Sequence, residues 1–266
     1  MCRWLLLLLL LAGGQALPGA PSGLTILVEP SETEPMALAH VQSREFTGVY
    51  PMTTGALAFL SNVTAGNLIV VAVSHYIGDA NHTISVTDSL SNTYQTDISG
   101  VGAGSYHVRL FYAMNIAGGA NTVTVEVPDS SDLWFTITEI SGAATTSALD
   151  ISGTASGGTA TPTVSITTTV ADTILFGIFN HEGSDRTLTP GAGFTQIEEQ
   201  EGGSTVMPGL SEYQIVTSSG SKTVNGTLGS AATWNICAAA FKAAATATLP
   251  RPLTLARDAV HRSFSW

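Results

Sequence analysis

Three groups of side chains in this sequence could do chemistry. His75 and His181 each close an apolar run and open a polar one, in "SHYIGDANH" and "NHEGSD". Around them stand Tyr76, Asp79, Asn81, His82, Glu182 and Asp185, which bring carboxylates, amides, imidazoles and an aromatic face. Such a set can hydrogen-bond a polar ligand and stack on its apolar side. Neither spacing matches a zinc motif, and a histidine at a strand exit also serves as an ordinary hydrogen-bonding loop residue. The ligand-binding candidates are therefore Tyr76, Asn81, His82, His181, Glu182 and Asp185. The second group is Asp88 and Asn92 in "SVTDSLSNTYQ". Asp and Asn tolerate turn geometry and cap nearby backbone N–H groups, so this stretch reads first as a hairpin connection. As hard oxygen donors, the same two residues are the candidates for a structural calcium ion. Calcium takes six to eight oxygens, however, and acidic residues at alternate positions are lacking. No other cofactor is expected.

The third candidate is Glu139, a lone carboxylate in the apolar run "FTITEIS". Buried there, it would have a raised pKa suited to a general acid. The alternation of the run instead places it on the outward face, and that is the expectation. Glycoside cleavage needs two carboxyl groups at a set separation, and the remaining acids fall mostly in turns or in the solvated run "IEEQE". No GxSxG, HExxH or phosphate-cradling loop occurs. The chain is expected to be a non-enzymatic binding or surface-display module, with a glycan as the expected ligand, rather than to cleave. A glycosidase or lyase, and a structural stalk or coat domain, are the alternatives.

Many short β-patterned runs must position these groups, among them "MALAHV", "NLIVVAVSHY", "HTISVT", "HVRLFYAM", "NTVTVEV", "LWFTITEIS", "TVSITTT", "DTILFGIFN" and "ATWNICAAAF". Most alternate with period two, and Gly, Asn, Asp and Ser clusters divide them. "LIVVAV" and "ILFGIF" are apolar on both faces and read as central strands. No amphipathic helical pattern stands out. About a dozen strands imply an all-β, jelly-roll-like β-sandwich.

The order of matched blocks suggests two pseudo-symmetric halves. "NLIVVAVSH" echoes "DTILFGIFNH", aligning His75 with His181. "LFYAMNIAGGANTVTVEV" echoes "SEYQIVTSSGSKTVNGTL", aligning Tyr112 with Tyr213. "LWFTITEI" echoes "TWNICAAAF", aligning Trp134 with Trp234.

Residues 1–16 read as a signal peptide: Arg3, then Leu5 to Leu11, then a small-residue cleavage site ending at Ala16. The apolar run is shorter than the roughly 20 residues that span a bilayer. Residues 17–35 are Pro- and Glu-rich and read as a linker, 36–243 as the sandwich, and 244–266 as a disordered tail. Cys2 leaves with the signal, so Cys237 stands alone in an apolar strand and reads as a buried hydrophobe. From Leu17 to Lys242, five basic residues face 19 acidic ones. That excludes the basic footprint of nucleic-acid binding and suits a soluble extracellular or cell-surface protein without membrane insertion. Asn62, Asn81 and Asn225 begin N-x-S/T sequons, which matter if the chain passes through a eukaryotic secretory pathway.

The strings "NVTAGNLIVVAVSHY", "ISVTDSLSNTYQ", "VRLFYAMNIAGGANTVTVEV", "TEISGAATTSALD" and "GAGFTQIEE" together resemble a recurrent module of secreted bacterial surface or polysaccharide-degrading proteins. The resemblance covers about Met36 to Lys242. It implies a jelly-roll-like sandwich; the expected partner of the chain is a polysaccharide or cell-surface glycan. It implies no catalytic residues, since the module has no defined activity.

Overall fold

The computed structural model describes residues 37–76, 83–100, 105–183, 187–201 and 206–245. The expected signal peptide and linker lie outside these residues, as do all but the first two residues of the expected tail. So do Asp79, Asn81, His82 and Asp185. Among the described residues the secondary structure is all strand and turn.

The first half contains β1 (Ala39–Ala58), β2 (Leu68–Tyr76), β3 (Ser85–Asp88), β4 (Tyr94–Gly100), β5 (Tyr106–Ala113) and β6 (Thr122–Ser141). β1 and β6 pair along their whole length, but the register shifts between Gly48 and Thr54. Such irregularities bend a strand pair. One arm of the pair continues into β2, β5 and β4, in the order β1-β6-β2-β5-β4; the other arm carries β3 on β6. Leu57, Val123 and Val125 of the second arm pack with Ile69, Val71, Val73, Phe111, Phe135 and Ile137 of the first. The bent sheet thus closes on its own core.

The second half repeats this plan with the long strands divided. It contains β7 (Leu149–Gly157), β8 (Thr163–Thr168), β9 (Thr173–His181), β10 (Leu188–Pro190), β11 (Thr195–Gln200), β12 (Gly209–Val216), β13 (Gly220–Leu228) and β14 (Trp234–Lys242). The order β7-β14-β9-β12-β11 matches β1-β6-β2-β5-β4 position by position, and β8-β13-β10 matches β1-β6-β3. Val164, Ile166, Leu175, Phe179, Leu210, Val224, Trp234 and Ile236 fill the core between these two sheets. In both halves the first and last long strands lie side by side, as in a jelly roll.

A third core joins the halves. Val70, Ala72, Val108, Leu110, Tyr112 and Trp134 meet Ile174, Phe176, Ile178, Cys237, Ala239 and Phe241. This explains why "LIVVAV" and "ILFGIF" are apolar throughout. β2 and β9 are central strands, and each has one face in its own half's core and the other in the shared core. The all-β sandwich architecture is thus built from two pseudo-symmetric halves, each closed on its own core and packed back to back. Cys237 is buried at the shared face, its thiol 3.3 Å from the carbonyl oxygens of Ile98 and Val108.

The alignment of halves is right for one aromatic pair and displaced for the other. Tyr112 pairs with Val70 and Tyr213 with Phe176, consistent with His75 matching His181. In the same frame His75 pairs with Leu133, whereas His181 pairs with Trp234. Trp234 therefore corresponds to Leu133, and Trp134 to Asn235. A shift of one residue puts a side chain on the opposite face. Trp134 accordingly lies in the shared core and Trp234 in the core of the second half.

Candidate functional site

"TDSLSN" forms a turn, but not a hairpin: β3 pairs with β6, and β4 pairs with β5. The turn carries the chain from one arm of the bent sheet to the other. Asp88 organises it. One carboxylate oxygen accepts from the backbone N–H groups of Leu90 (3.1 Å) and Asn92 (3.0 Å). The other accepts from the side chains of Asn92 (2.8 Å), Asn121 (2.9 Å) and Tyr94 (3.1 Å). Burial alone would push this carboxyl up, but the bonds from Asn121, Asn92 and Tyr94 outweigh it and hold the pKa below its ordinary value. Asn92 Oδ1 accepts from Ala117 N at 2.8 Å. The two calcium candidates are thus met by N–H and O–H donors, the environment of a turn anchor. Among the described residues no group of three or more His, Cys, Asp or Glu is placed to hold a metal ion.

Glu139 is not on an outward face. It is fully buried, on the side of β6 that faces the first half's own core. Its carboxylate accepts from Asn67 Nδ2 (2.6 Å), Thr64 N (2.7 Å) and Gln42 Nε2 (2.7 Å). The alternation correctly separates its face from that of Trp134. Because both faces of β6 are covered, that separation does not amount to exposure. Glu139 ties the loop before β2 to the sheet and faces no cleft.

The two strand exits that carry the ligand-binding candidates lie together. Asn180 Nδ2 donates to Ser74 Oγ (3.2 Å), and Ser74 Oγ donates to Pro208 O (3.0 Å). Asn235 Nδ2 donates to Tyr106 O (2.6 Å) and approaches Asn180 Oδ1 at 3.3 Å. These contacts cross between the halves just before His75–Tyr76 and His181–Glu182, so both exits share one end of the molecule. Glu182 Oε1 accepts from Ser105 N at 3.1 Å. Tyr76 meets Tyr106 edge to face, with ring centroids 5.7 Å apart. Tyr106 has its phenol pKa raised by burial and by the nearby charges of Asp132 and Glu182, with Tyr76 adding to the effect. Its hydroxyl therefore stays protonated and able to donate.

Tyr50 and Asp132, which the sequence did not single out, join this end through the bends of β1 and β6. Tyr50 N donates to Asp132 Oδ1 at 2.8 Å. Tyr50 and Tyr76 are 63% and 41% exposed. The available signal was an aromatic beside Pro51 in a strand-like run, where the pairing register breaks. His75 and His181 differ from them. Both are buried on the inner faces of their strands, His75 edge to face with His107 at 6.0 Å and His181 Nδ1 3.3 Å from Glu182 O. A hollow of about 430 Å³ opens beside the same bends, lined by Thr53, Thr54, Thr83, Ser85, Glu126 and Val127. The structure therefore groups Tyr50, Tyr76, Tyr106, Asp132 and Glu182 at this end. Asn81, His82 and Asp185 lie outside the described residues.

Comparison with protein-family models, with curated proteins and with solved structures returns no match for this chain.

Proposed function

We propose that the chain is a secreted module that reversibly binds a polysaccharide or cell-surface glycan at the end where β2 and β9 exit. The reading is carried by the Tyr76–Tyr106 pair beside Glu182 and Asp132, with Tyr50 close by. A sugar ring presents apolar C–H faces and polar hydroxyl edges. Exposed tyrosines match the first, and carboxylates accept hydrogen bonds from the second. The resemblance to secreted bacterial surface modules supports the same reading. Glycoside cleavage is the weaker reading because its best general-acid candidate, Glu139, is fully buried and bonded to Gln42, Thr64 and Asn67.

A glycan array combined with a reducing-sugar release assay tests this proposal. The expected result is array binding that Tyr76→Ala weakens, without release of sugar. Steady release would favour a glycosidase. Silence in both assays would leave a structural stalk or coat role.

A further inference from the structure

We propose that Asn62 is an N-glycan acceptor and that Asn225, despite its identical type of sequon, is not. The inference rests on the reading of residues 1–16 as a secretion signal and applies where that signal delivers the chain to a eukaryotic secretory pathway. Asn62-Val63-Thr64 and Asn225-Gly226-Thr227 both satisfy N-x-S/T, so only structure separates them.

Asn62 is exposed in the loop between β1 and β2, flanked by exposed Ser61 and Thr64. Its neighbours pin the loop while leaving the asparagine outward. Ser61 N and Oγ both donate to Gln42 Oε1, Val63 exchanges backbone bonds with Gly119, and Thr64 N donates to Glu139. Asn225 lies within β13, in register with Thr163 on β8. A Cβ built on Gly191 would stand 2.2 Å from Asn225 O and 2.4 Å from its Oδ1. Asn225 is half-buried, and the Gly191 backbone lies directly against its Oδ1, so a sugar joined to the same amide would be crowded by the strand packing. Glycosylation joins the Asn62 Nδ2 to the anomeric carbon of a lipid-pyrophosphate-linked oligosaccharide. The anomeric C–O bond to the pyrophosphate breaks, the lipid pyrophosphate departs, and the amide gives up one proton.

Placement gives this glycan a functional consequence. Asn62 precedes the start of β2, and Tyr76 ends that strand. Nine strand residues span roughly 30 Å at about 3.3 Å each. A sugar on Asn62 would thus cover the end remote from the tyrosines and leave them open.

Translation of the full chain with endoplasmic-reticulum microsomes, followed by protease protection, endoglycosidase treatment and glycopeptide mapping, tests the proposal. Mapping reads the Asn81 sequon separately. The expected result is a protected chain with a glycan on the Asn62 peptide, lost in both Asn62→Gln and Thr64→Ala, and a bare Asn225 peptide. A protected chain without sugar on Asn62, or with sugar on Asn225, overturns the proposal. An unprotected chain overturns it as well, through failure of the signal rather than of the acceptor.

Discussion

Glu139 and Glu212 are both fully buried, yet only Glu139 has donors on both carboxylate oxygens. Glu212 takes one bond from Gly191 N at 3.0 Å, and its Oε1 is buried without a partner. It occupies the place held by Phe111 in the first half, judged from the strand pairing. Removing Glu139 would strip a partner from the Gln42 and Asn67 amides and from the Thr64 backbone. Glu139→Ala is expected to lower unfolding free energy by about 3 kcal/mol, measured by urea denaturation. Burial raises the Glu212 pKa to about 8, against the opposing effect of the Gly191 bond. Between the ordinary value of 4.5 and about 8 the native state then holds a proton that the unfolded chain has released. The stabilising contribution is full below 4.5 and disappears as pH rises to about 8, with a slope of up to about 1.4 kcal/mol per pH unit. Stability curves of Glu212→Gln should lack this fall, so the variant gains on the parent chain as pH rises. Parallel curves from pH 4.5 to 8.5 would contradict the assignment. Neither glutamate's environment was legible in the sequence. Period-two alternation separates two faces, but here both faces are cores.

Elements were more legible than their partners. Apolar runs correctly marked β2 and β9 as central, and Asp, Ser and Asn correctly marked a turn after β3. The same turn chemistry serves a hairpin and a crossing between the two arms of one bent sheet, so the pairing of β3 with β6 could not be read locally. The matched Trp-containing blocks were misplaced by one residue because similar residue types fit either register; only the hydrogen-bonded partners decide it. Where the displaced tryptophan goes shapes the contact between halves. A Cβ on Gly209 would lie 2.3 Å from the Trp134 ring, which is fully buried and donates from Nε1 to Glu45 at 3.0 Å. Gly209→Ala is expected to cost about 1–3 kcal/mol through overpacking. Gly158→Ala, which meets nothing within 4 Å, should stay within about 0.5 kcal/mol of the parent. Thermal unfolding of the two variants checks the close approach of β12 to β6; equal stabilities would contradict it.

At the scale of the whole molecule, the matched halves set where their central strands end. Two sandwiches of matched strand order meet through their central strands, and so β2 and β9 end side by side. The echo of His75 in His181 pointed to those exits. It could not reveal that the histidines turn inward, or that bends in β1 and β6 bring Tyr50 and Asp132 to the same end. Bends come from register shifts between distant strands, which leave little trace in local sequence. The tyrosine end is the centre of the functional account, and its most direct measurement is affinity electrophoresis through gels containing a panel of soluble neutral polysaccharides. The parent chain should be retarded by at least one of them, with Tyr50→Ala and Tyr76→Ala each reducing retardation several-fold. Val170→Ala, at an exposed turn outside this group, should migrate as the parent does. Retardation that survives both tyrosine variants, or none with any polysaccharide, would contradict binding at this end.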